Sequence, residues 1–535
     1  MRIKAGEAKH MLESPSAAKP AVKPLTSSTR ATHLFLGLLF VLLMSAQLFL
    51  YRNSFAVKPS NDDFIALHQV ERGETEGVWT FFVASDLGDY RPLQNLTFWL
   101  FGRISKRHML LSLRILHLVS FVFYAGVAFL WIRTLRFNCG GAVVAACVVF
   151  LHPILAGALA GLDNYSRLVA SAWVWLGAWV AYVHGRRPLL AVPFVSICFA
   201  IALGYMEYAI ALIPLASLAT AWRGERRPFH KAWGMFVSLM TIFSGYFLIR
   251  ASGIAGVTSG AGFLSLSPLV WVKNTATILG AVLFFGNTVP IMQESSFSNL
   301  ALLGSSVTLV ALAVAYGLWA GRHLLDPPAC RDSQTVFPGG AGPPRRLGFL
   351  GAAFAVSFFP MFLMKHISEI YLSAVALALA LLIGLSAHGW TTVSRPLRYL
   401  ALCLAGSQLL LAANAIQAKV AGINEVGERT DAMMQQLLEH VPNDGLTKRV
   451  AMVFSKQKVA GGRSYSIFAI PDDALIMEGW GTLAIRWFRP DRDIRLDLLV
   501  VTDPSLVDLK SYDLVLFWED STRQLSPMRR SASRL

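Results

Sequence analysis

The sequence predicts an all-α polytopic membrane protein of about eleven transmembrane helices, followed by a small α/β domain outside the membrane. Three observations carry that expectation. Hydrophobic residues make up 55% of the 535 and charged residues only 15%, with a mean hydropathy of +0.51, a balance foreign to soluble chains. Apolar runs of roughly 20 residues recur along most of the chain, the length a helix needs to cross a hydrocarbon core with its backbone groups satisfied internally. Short basic patches occupy alternate loops between the runs, all on one side, as retained cytoplasmic loops do.

The net charge of +16 invites comparison with nucleic-acid-binding proteins. The Lys and Arg residues, however, cluster between apolar runs rather than along one face, so they report topology and imply no nucleic-acid partner. The five cysteines, Cys139, Cys147, Cys198, Cys330 and Cys403, lie in apolar runs or in patches read as cytoplasmic, with neither a disulfide framework nor a metal-ligand spacing.

Residues 1–32 form a basic tail carrying Arg2, Lys4, Lys9, Lys19, Lys23 and Arg30, and the apolar run at 33–51 behind it reads as a retained signal anchor. With the tail inside, further spans follow at 110–131, 141–158, 167–184, 189–206, 208–222, 232–250, 299–320, 347–364, 371–388 and 398–415. The patches Arg133/Arg136, Arg186/Arg187, Arg223/Arg226/Arg227, Arg322/Arg345/Arg346 and Arg395/Arg398 then share the side of the N-terminus, and an odd number of spans puts the C-terminus outside. A further stretch at 268–286, interrupted by Lys273 and Asn274, would invert every later loop if it crossed, so it reads as an interfacial or re-entrant helix. Residues 321–346, rich in Pro, Gly and Arg, read as a cytoplasmic linker within the membrane domain of 33–415. From 416 to 535 charge becomes regular. Helical spacing over 424–440 and strand-like runs at Val450–Ser455, Leu498–Thr502 and Asp513–Trp518 imply a compact α/β domain.

The first loop outside, 52–109, holds the residues with the most chemistry. Asp62 and Asp63 stand together at its membrane edge, where a partly desolvated carboxylate can serve as a general base or bind a divalent cation through oxygen. The simpler reading is that they cap the following helix. Asp89, Tyr90 and Arg91 come later in the loop, and Arg91 can hold a phosphate through paired hydrogen bonds or rest beside loop carboxylates. His117 opens the second span and His152 closes the third; either is a catalytic candidate or a packed, hydrogen-bonded side chain. Asp163 and Arg167 have the spacing of a helical ion pair. Topology gathers these groups with Glu207, Arg250, Glu294, His366 and Glu369 at the outer ends of the spans, and charge at membrane depth is costly unless paired or functional.

This ordered set resembles the GT-C superfamily of glycosyltransferases that use polyprenyl-phosphate sugars. The shared features are an Asp pair after the first span, a Tyr-Arg-Pro-Leu run and a His entering the second span. The nearest relatives in pattern are bacterial multi-span members and the transmembrane O-mannosyltransferases with tetratricopeptide repeats. His152-Pro153 with Tyr165-Ser166-Arg167, Glu207 with Pro214, Tyr246 with Arg250, and His366 to Tyr371 extend the likeness over 33–440. Met206 stands where those relatives carry a lysine, Ile370 where they carry an arginine, and the repeats are absent.

The resemblance implies an inverting transfer of a sugar from a polyprenyl-phosphate donor to an extracytoplasmic glycan, lipid or protein acceptor, at a bacterial cytoplasmic membrane. Asp62 would be the base, and Asp63 would assist it or bind Mg or Mn. Arg91, Arg167 and Arg250 would face the phosphate, while Asp89, Tyr90, His117, His152, Glu207, His366 and Glu369 would shape the donor site. Two other readings remain open on the residues alone: a transporter or flippase of lipid-linked glycans, and an inactive envelope scaffold. The former commonly shows internal repeats and midplane charge, which are not evident here. In the tail domain, Asp472 and Asp473 read as helix N-terminal acids, and no nucleotide-phosphate loop occurs.

Overall fold

The computed structural model describes residues 27–58, 63–83, 90–104, 109–161, 164–185, 187–223, 228–253, 267–288, 297–324, 343–362, 364, 369–390, 393–442, 447–455, 481–488, 494–501, 509–519 and 522–528. Most of them are helical. The chain runs through α1 (Ser27–Leu50), then α2 (Phe64–Thr75), α3 (Thr80–Val83) and α4 (Pro92–Ile104) in the first loop. It continues with α5 (Met109–Thr134), α6 (Cys139–Leu151), α7 (Ala156–Ala160), α8 (Tyr165–His184), α9 (Pro188–Tyr205), α10 (Leu212–Arg223) and α11 (Pro228–Gly253). After α12 (Pro268–Leu283) come α13 (Phe297–Leu324), α14 (Pro343–Ser357), α15 (Phe359–Phe362), α16 (Ser373–Trp390) and α17 (Arg395–His440). The tail holds β1 (Arg449–Ser455), α18 (Gly481–Phe488), β2 (Arg495–Val501), β3 (Leu514–Glu519) and β4 (Gln524–Pro527).

Every expected span overlaps a helix. Five segments are long and apolar enough to cross a membrane by length and composition: Met109–Thr134, Cys139–Ala160, Phe229–Ala251, Leu300–Ala320 and the helix Arg395–His440; shorter apolar helices accompany them. Their outer surfaces are apolar as well. Leu38, Leu42 and Phe49 on α1, Phe194 and Ile197 on α9, and Leu400 and Leu402 on α17 are all exposed. Water would penalise a belt of that extent, and bilayer hydrocarbon would not. The apolar helices therefore mark a membrane protein.

Inside the bundle, small residues let backbones approach and polar side chains lock them. The α6 and α16 backbones meet where Gly141 faces Gly384: a Cβ on Gly384 would lie 2.8 Å from the Gly141 carbonyl oxygen and 2.7 Å from the Ala145 methyl. Such close crossings stand in for the hydrophobic drive that lipid cannot supply. The buried aromatic donors reach neighbouring carbonyls. Tyr124 donates to Ser373 O at 2.7 Å, Trp131 to Trp175 O at 3.0 Å and Trp175 to Ala374 O at 2.8 Å, which ties α5, α8 and α16 together.

Helix α12, the stretch expected to lie at the interface, is held by two polar side chains. Buried Asn274 points its amide nitrogen at the carbonyls of Met361, Phe362 and Met364, at 3.2, 3.0 and 2.6 Å. His152 Nε2 reaches Val282 O at 2.8 Å. Residues that interrupt the apolar run thus fasten the segment to the ends of α6 and α15.

The last expected span and the expected helix at 424–440 are one continuous helix of 46 residues. At 1.5 Å per residue it extends for about 69 Å, roughly twice the hydrocarbon thickness, so its second half projects beyond the spans. A four-stranded sheet of order β2-β1-β3-β4 rests on that half, with β1 parallel to β2 and β3, and β4 antiparallel to β3. The central strand is buried on both faces, as its apolar run foretells. Val450, Met452 and Phe454 pack toward Met433, Met434 and Leu437 of α17, Ile485 of α18, and Phe64 of the first loop. Ala451 and Val453 face the opposite cluster with Val515. The segment containing Asp472 and Asp473 lies outside the described residues. Two ion pairs fasten the first loop to this end of the molecule: Arg486 to Glu71 at 3.1 Å and Lys58 to Asp431.

Candidate functional site

Two of the expected site residues, Arg91 and Arg250, converge on the carboxylate of a third, Glu207. Arg91 immediately precedes α4, whose first position is Pro92, a residue preset for helix entry. Glu207 opens the 3-10 turn Glu207–Ala211 that joins α9 to α10, between the expected spans. Arg250 lies in the last turn of α11. Arg91 Nε donates to Glu207 Oε2 at 3.4 Å, and Arg250 Nη1 donates to Glu207 Oε1 at 3.3 Å. The side chains are 17%, 24% and 26% exposed for Arg91, Arg250 and Glu207, so water reaches the cluster without flooding it. Burial pushes the Glu207 carboxyl up, but Arg91 and Arg250 outweigh it and hold the group below the ordinary glutamate value.

Aromatic residues frame the triad. Tyr246, one turn before Arg250, donates to Tyr90 O at 2.7 Å, and the two rings lie 5.3 Å apart. Tyr90 in turn donates to Phe82 O at 2.8 Å. On the other side of Glu207, Tyr208 donates to Arg167 O at 2.5 Å and contacts Ser171 Oγ at 3.1 Å, while Ser171 Oγ meets Ser373 Oγ at 2.7 Å. The Arg167 guanidinium sits over the Tyr371 ring at 5.4 Å. Tyr208 also lies within electrostatic reach of both Arg167 and Arg91. Chain segments far apart in sequence thus bring Tyr90, Arg91, Arg167, Glu207 and Arg250 to one place.

No family model and no curated protein matches this sequence.

The remaining expected residues divide by what surrounds them. Asp63 is buried just before α2, where its side chain makes no capping hydrogen bond. It lies instead within electrostatic reach of Arg114. His117 presents Nδ1 to Leu113 O at 2.7 Å and Nε2 to Gly161 O at 2.6 Å, and Arg114 Nη1 donates to Ala160 O at 2.5 Å. The Nε2 contact ties α5 to the residue that ends α7, whereas Nδ1 faces a carbonyl of α5 itself. His152 Nδ1 accepts from the Ile154 backbone N–H at 3.2 Å, which assigns the proton to Nε2 for donation to Val282 O. That is a packed histidine at a helix break, the blander of its two readings. Glu369 begins the 3-10 turn Glu369–Leu372 that leads to Tyr371. Asp62, Asp89, Asp163, Glu294 and His366 lie outside the described residues.

For a divalent cation, Asp63 is the described member of the expected pair, and the cation beside it is Arg114. Among the described residues no group of three His, Cys, Asp or Glu side chains converges. The described residues do not fit an Mg or Mn site.

Several polar residues of this region escape a motif search. Arg114, 4% exposed, interrupts an apolar span three residues before His117; a lone cation within such a run is the signal that would have found it. Lys419 is buried just past the last expected span, with Nζ 3.4 Å from Pro153 O. Ser171, Tyr208 and Ser373 carry no local signal, because single hydroxyls in apolar helices are common.

Proposed function

We propose that this chain is a GT-C-type glycosyltransferase that moves a sugar from a polyprenyl-phosphate donor to an extracytoplasmic acceptor. The proposal includes eleven spans, with the N-terminus cytoplasmic and the tail domain outside a bacterial cytoplasmic membrane. One observation supports it above the rest: Arg91, Glu207 and Arg250, from segments separated by 116 and 43 residues, meet at one carboxylate at the ends of membrane helices. A lipid-linked substrate presents its phosphate at that depth, and guanidinium groups are suited to bind it.

In the proposed reaction, the Asp62 carboxylate takes the proton of the acceptor hydroxyl while the hydroxyl oxygen attacks the anomeric carbon from the face opposite the phosphate. The new carbon–oxygen bond forms as the bond to the phosphate oxygen breaks. The electron pair leaves with the lipid phosphate, whose growing charge is met by Arg91, Arg167 and Arg250. Glu207 holds two of these guanidiniums in place, and α2, braced by the tail domain, fixes the backbone that follows Asp62 and Asp63.

The test is transfer from a labelled polyprenyl-phosphate sugar in proteoliposomes. The wild-type chain is expected to release the lipid phosphate and label an acceptor. The Asp62→Asn chain is expected to fold and bind the donor without transfer; full activity in that variant would remove the base assignment. Movement of intact donor across the bilayer without bond cleavage would replace the enzyme reading with a transporter.

A further inference from the structure

A cleft between α1 and α5, bordered also by His117, carries three polar side chains that the glycosyl-transfer reading does not use. It is an open groove whose lining includes Gln47, Tyr51 and Arg114. These side chains are 4%, 5% and 4% exposed. Among the described residues, Gln47 Nε2 and Oε1, the Tyr51 hydroxyl and Arg114 Nη2 are buried with no hydrogen-bond partner. A buried polar atom left unmatched costs about 1–3 kcal/mol, so four of them on three residues that line one cleft amount to an unfilled requirement. Three of the four are donors in every protonation state available near neutrality, and the site thus asks chiefly for acceptor oxygens.

The walls specify the remainder of the ligand. Gln47 and Tyr51 lie at the end of α1, and Arg114 lies near the start of α5, both facing the first loop. Leu118 and Phe121 line the cleft about one turn further along α5, and Met44 lies one turn back along α1. The polar end therefore sits at the interfacial level, and the apolar walls lead from it toward the hydrocarbon. Leu48 and Phe55, which also line the cleft, are exposed, so it is continuous with the apolar outer surface where lipid lies. An acceptor-rich head joined to a long apolar chain satisfies both halves. Asp63 lies within electrostatic reach of Arg114 and offsets part of its charge, so the site asks for oxygen acceptors more than for a full negative charge.

The geometry points to a lateral binding site for one diacyl glycerophospholipid, its phosphate and ester oxygens accepting from Gln47, Tyr51 and Arg114 and an acyl chain lying along Leu118 and Phe121. This site is separate from the Arg91–Glu207–Arg250 cluster, and its existence does not depend on the catalytic reading.

The experiment is native mass spectrometry of the full chain, stripped of lipid in detergent and then offered one probe at a time: phosphatidylethanolamine, phosphatidylglycerol, a polyprenyl phosphate, or water-soluble glycerol phosphate. One phospholipid per chain is expected, with the zwitterionic and anionic forms retained to similar extents and no glycerol phosphate retained. The Gln47→Leu/Tyr51→Phe chain is expected to lose affinity about ten-fold, the effect of removing two net hydrogen bonds. Its apparent Tm in lipid-free detergent should not fall, because both substitutions keep shape while deleting unmatched polar atoms. Should the double variant fail to fold, Tyr51→Phe alone, which removes one oxygen, should still weaken retention several-fold. Undiminished retention by the folded variants overturns the site. So does preferential retention of the polyprenyl phosphate, or retention of glycerol phosphate equal to that of the phospholipids.

Discussion

Replacing Glu207 by Gln leaves Arg91 and Arg250 facing each other with their shared carboxylate gone. Each guanidinium makes one contact with Glu207, at 3.4 and 3.3 Å, and the three side chains are 17–26% exposed. Exposed ion pairs contribute under about 1 kcal/mol, whereas removing one partner of a buried pair costs about 3–5 kcal/mol. A cluster that is mostly but not fully buried falls between these limits, so Glu207→Gln should cost about 2 kcal/mol near pH 7. The loss is read as a lower apparent Tm of the purified chain in detergent. The folded state holds the Glu207 carboxyl below its ordinary value of 4.5. Its stabilisation is therefore fully present above that value and is lost as pH falls through the depressed folded one. The gap between wild type and Glu207→Gln should accordingly be constant from pH 6 to 8 and close at acid pH. Adding Arg250→Gln to Glu207→Gln removes one of the two like charges left side by side and should recover part of the loss, a non-additivity that a double-mutant cycle detects. Equal Tm values at pH 7, or strictly additive effects, would refute the idea that these groups act as one electrostatic unit.

Arg91→Ala should raise the donor concentration needed for half-maximal transfer by about ten-fold, the effect of one charge-assisted hydrogen bond to phosphate, and unchanged donor dependence would count against that role. Gly384→Ala places a methyl 2.7 Å from Ala145 and 2.8 Å from Gly141 O; it should destabilise the chain by about 1–3 kcal/mol in thermal unfolding, and a neutral result would mean that the α6–α16 crossing is loose. In the tail domain, burial pushes the Asp497 carboxyl up, but hydrogen bonds from Arg495 at 3.0 Å and Arg449 at 3.2 Å outweigh it and hold the group below its ordinary value of 3.8. Those arginines are 67% and 46% exposed, so Asp497→Asn should cost under about 1 kcal/mol near neutrality, and the difference should vanish as pH falls below 3.8, read from the unfolding of variant and wild type across that range.

The primary sequence alone determined where the apolar helices lie, because whether a run of side chains prefers hydrocarbon to water is a property of the run itself. It also located the strands Arg449–Ser455 and Leu514–Glu519, whose apolar patterns are equally local. It did not disclose that Arg395–His440 is one helix. The composition changes near residue 416, so the expected helix at 424–440 stands apart from the last span; within it, Gly427 is where the helix approaches the Lys58 backbone so closely that a Cβ would lie 2.6 Å from its carbonyl oxygen. The surroundings of individual site residues likewise emerged only in three dimensions. His117 and His152, each open to a catalytic or a packed reading in the sequence, have ring nitrogens that face backbone groups, including carbonyls 44 and 130 residues away. Arg91, Glu207 and Arg250 are three ordinary interfacial charges until the bundle closes and places both guanidiniums on one carboxylate. Hydropathy accumulates along the chain and can be read there; a hydrogen bond or an ion pair depends on distances of about 3 Å between groups that only tertiary packing brings together.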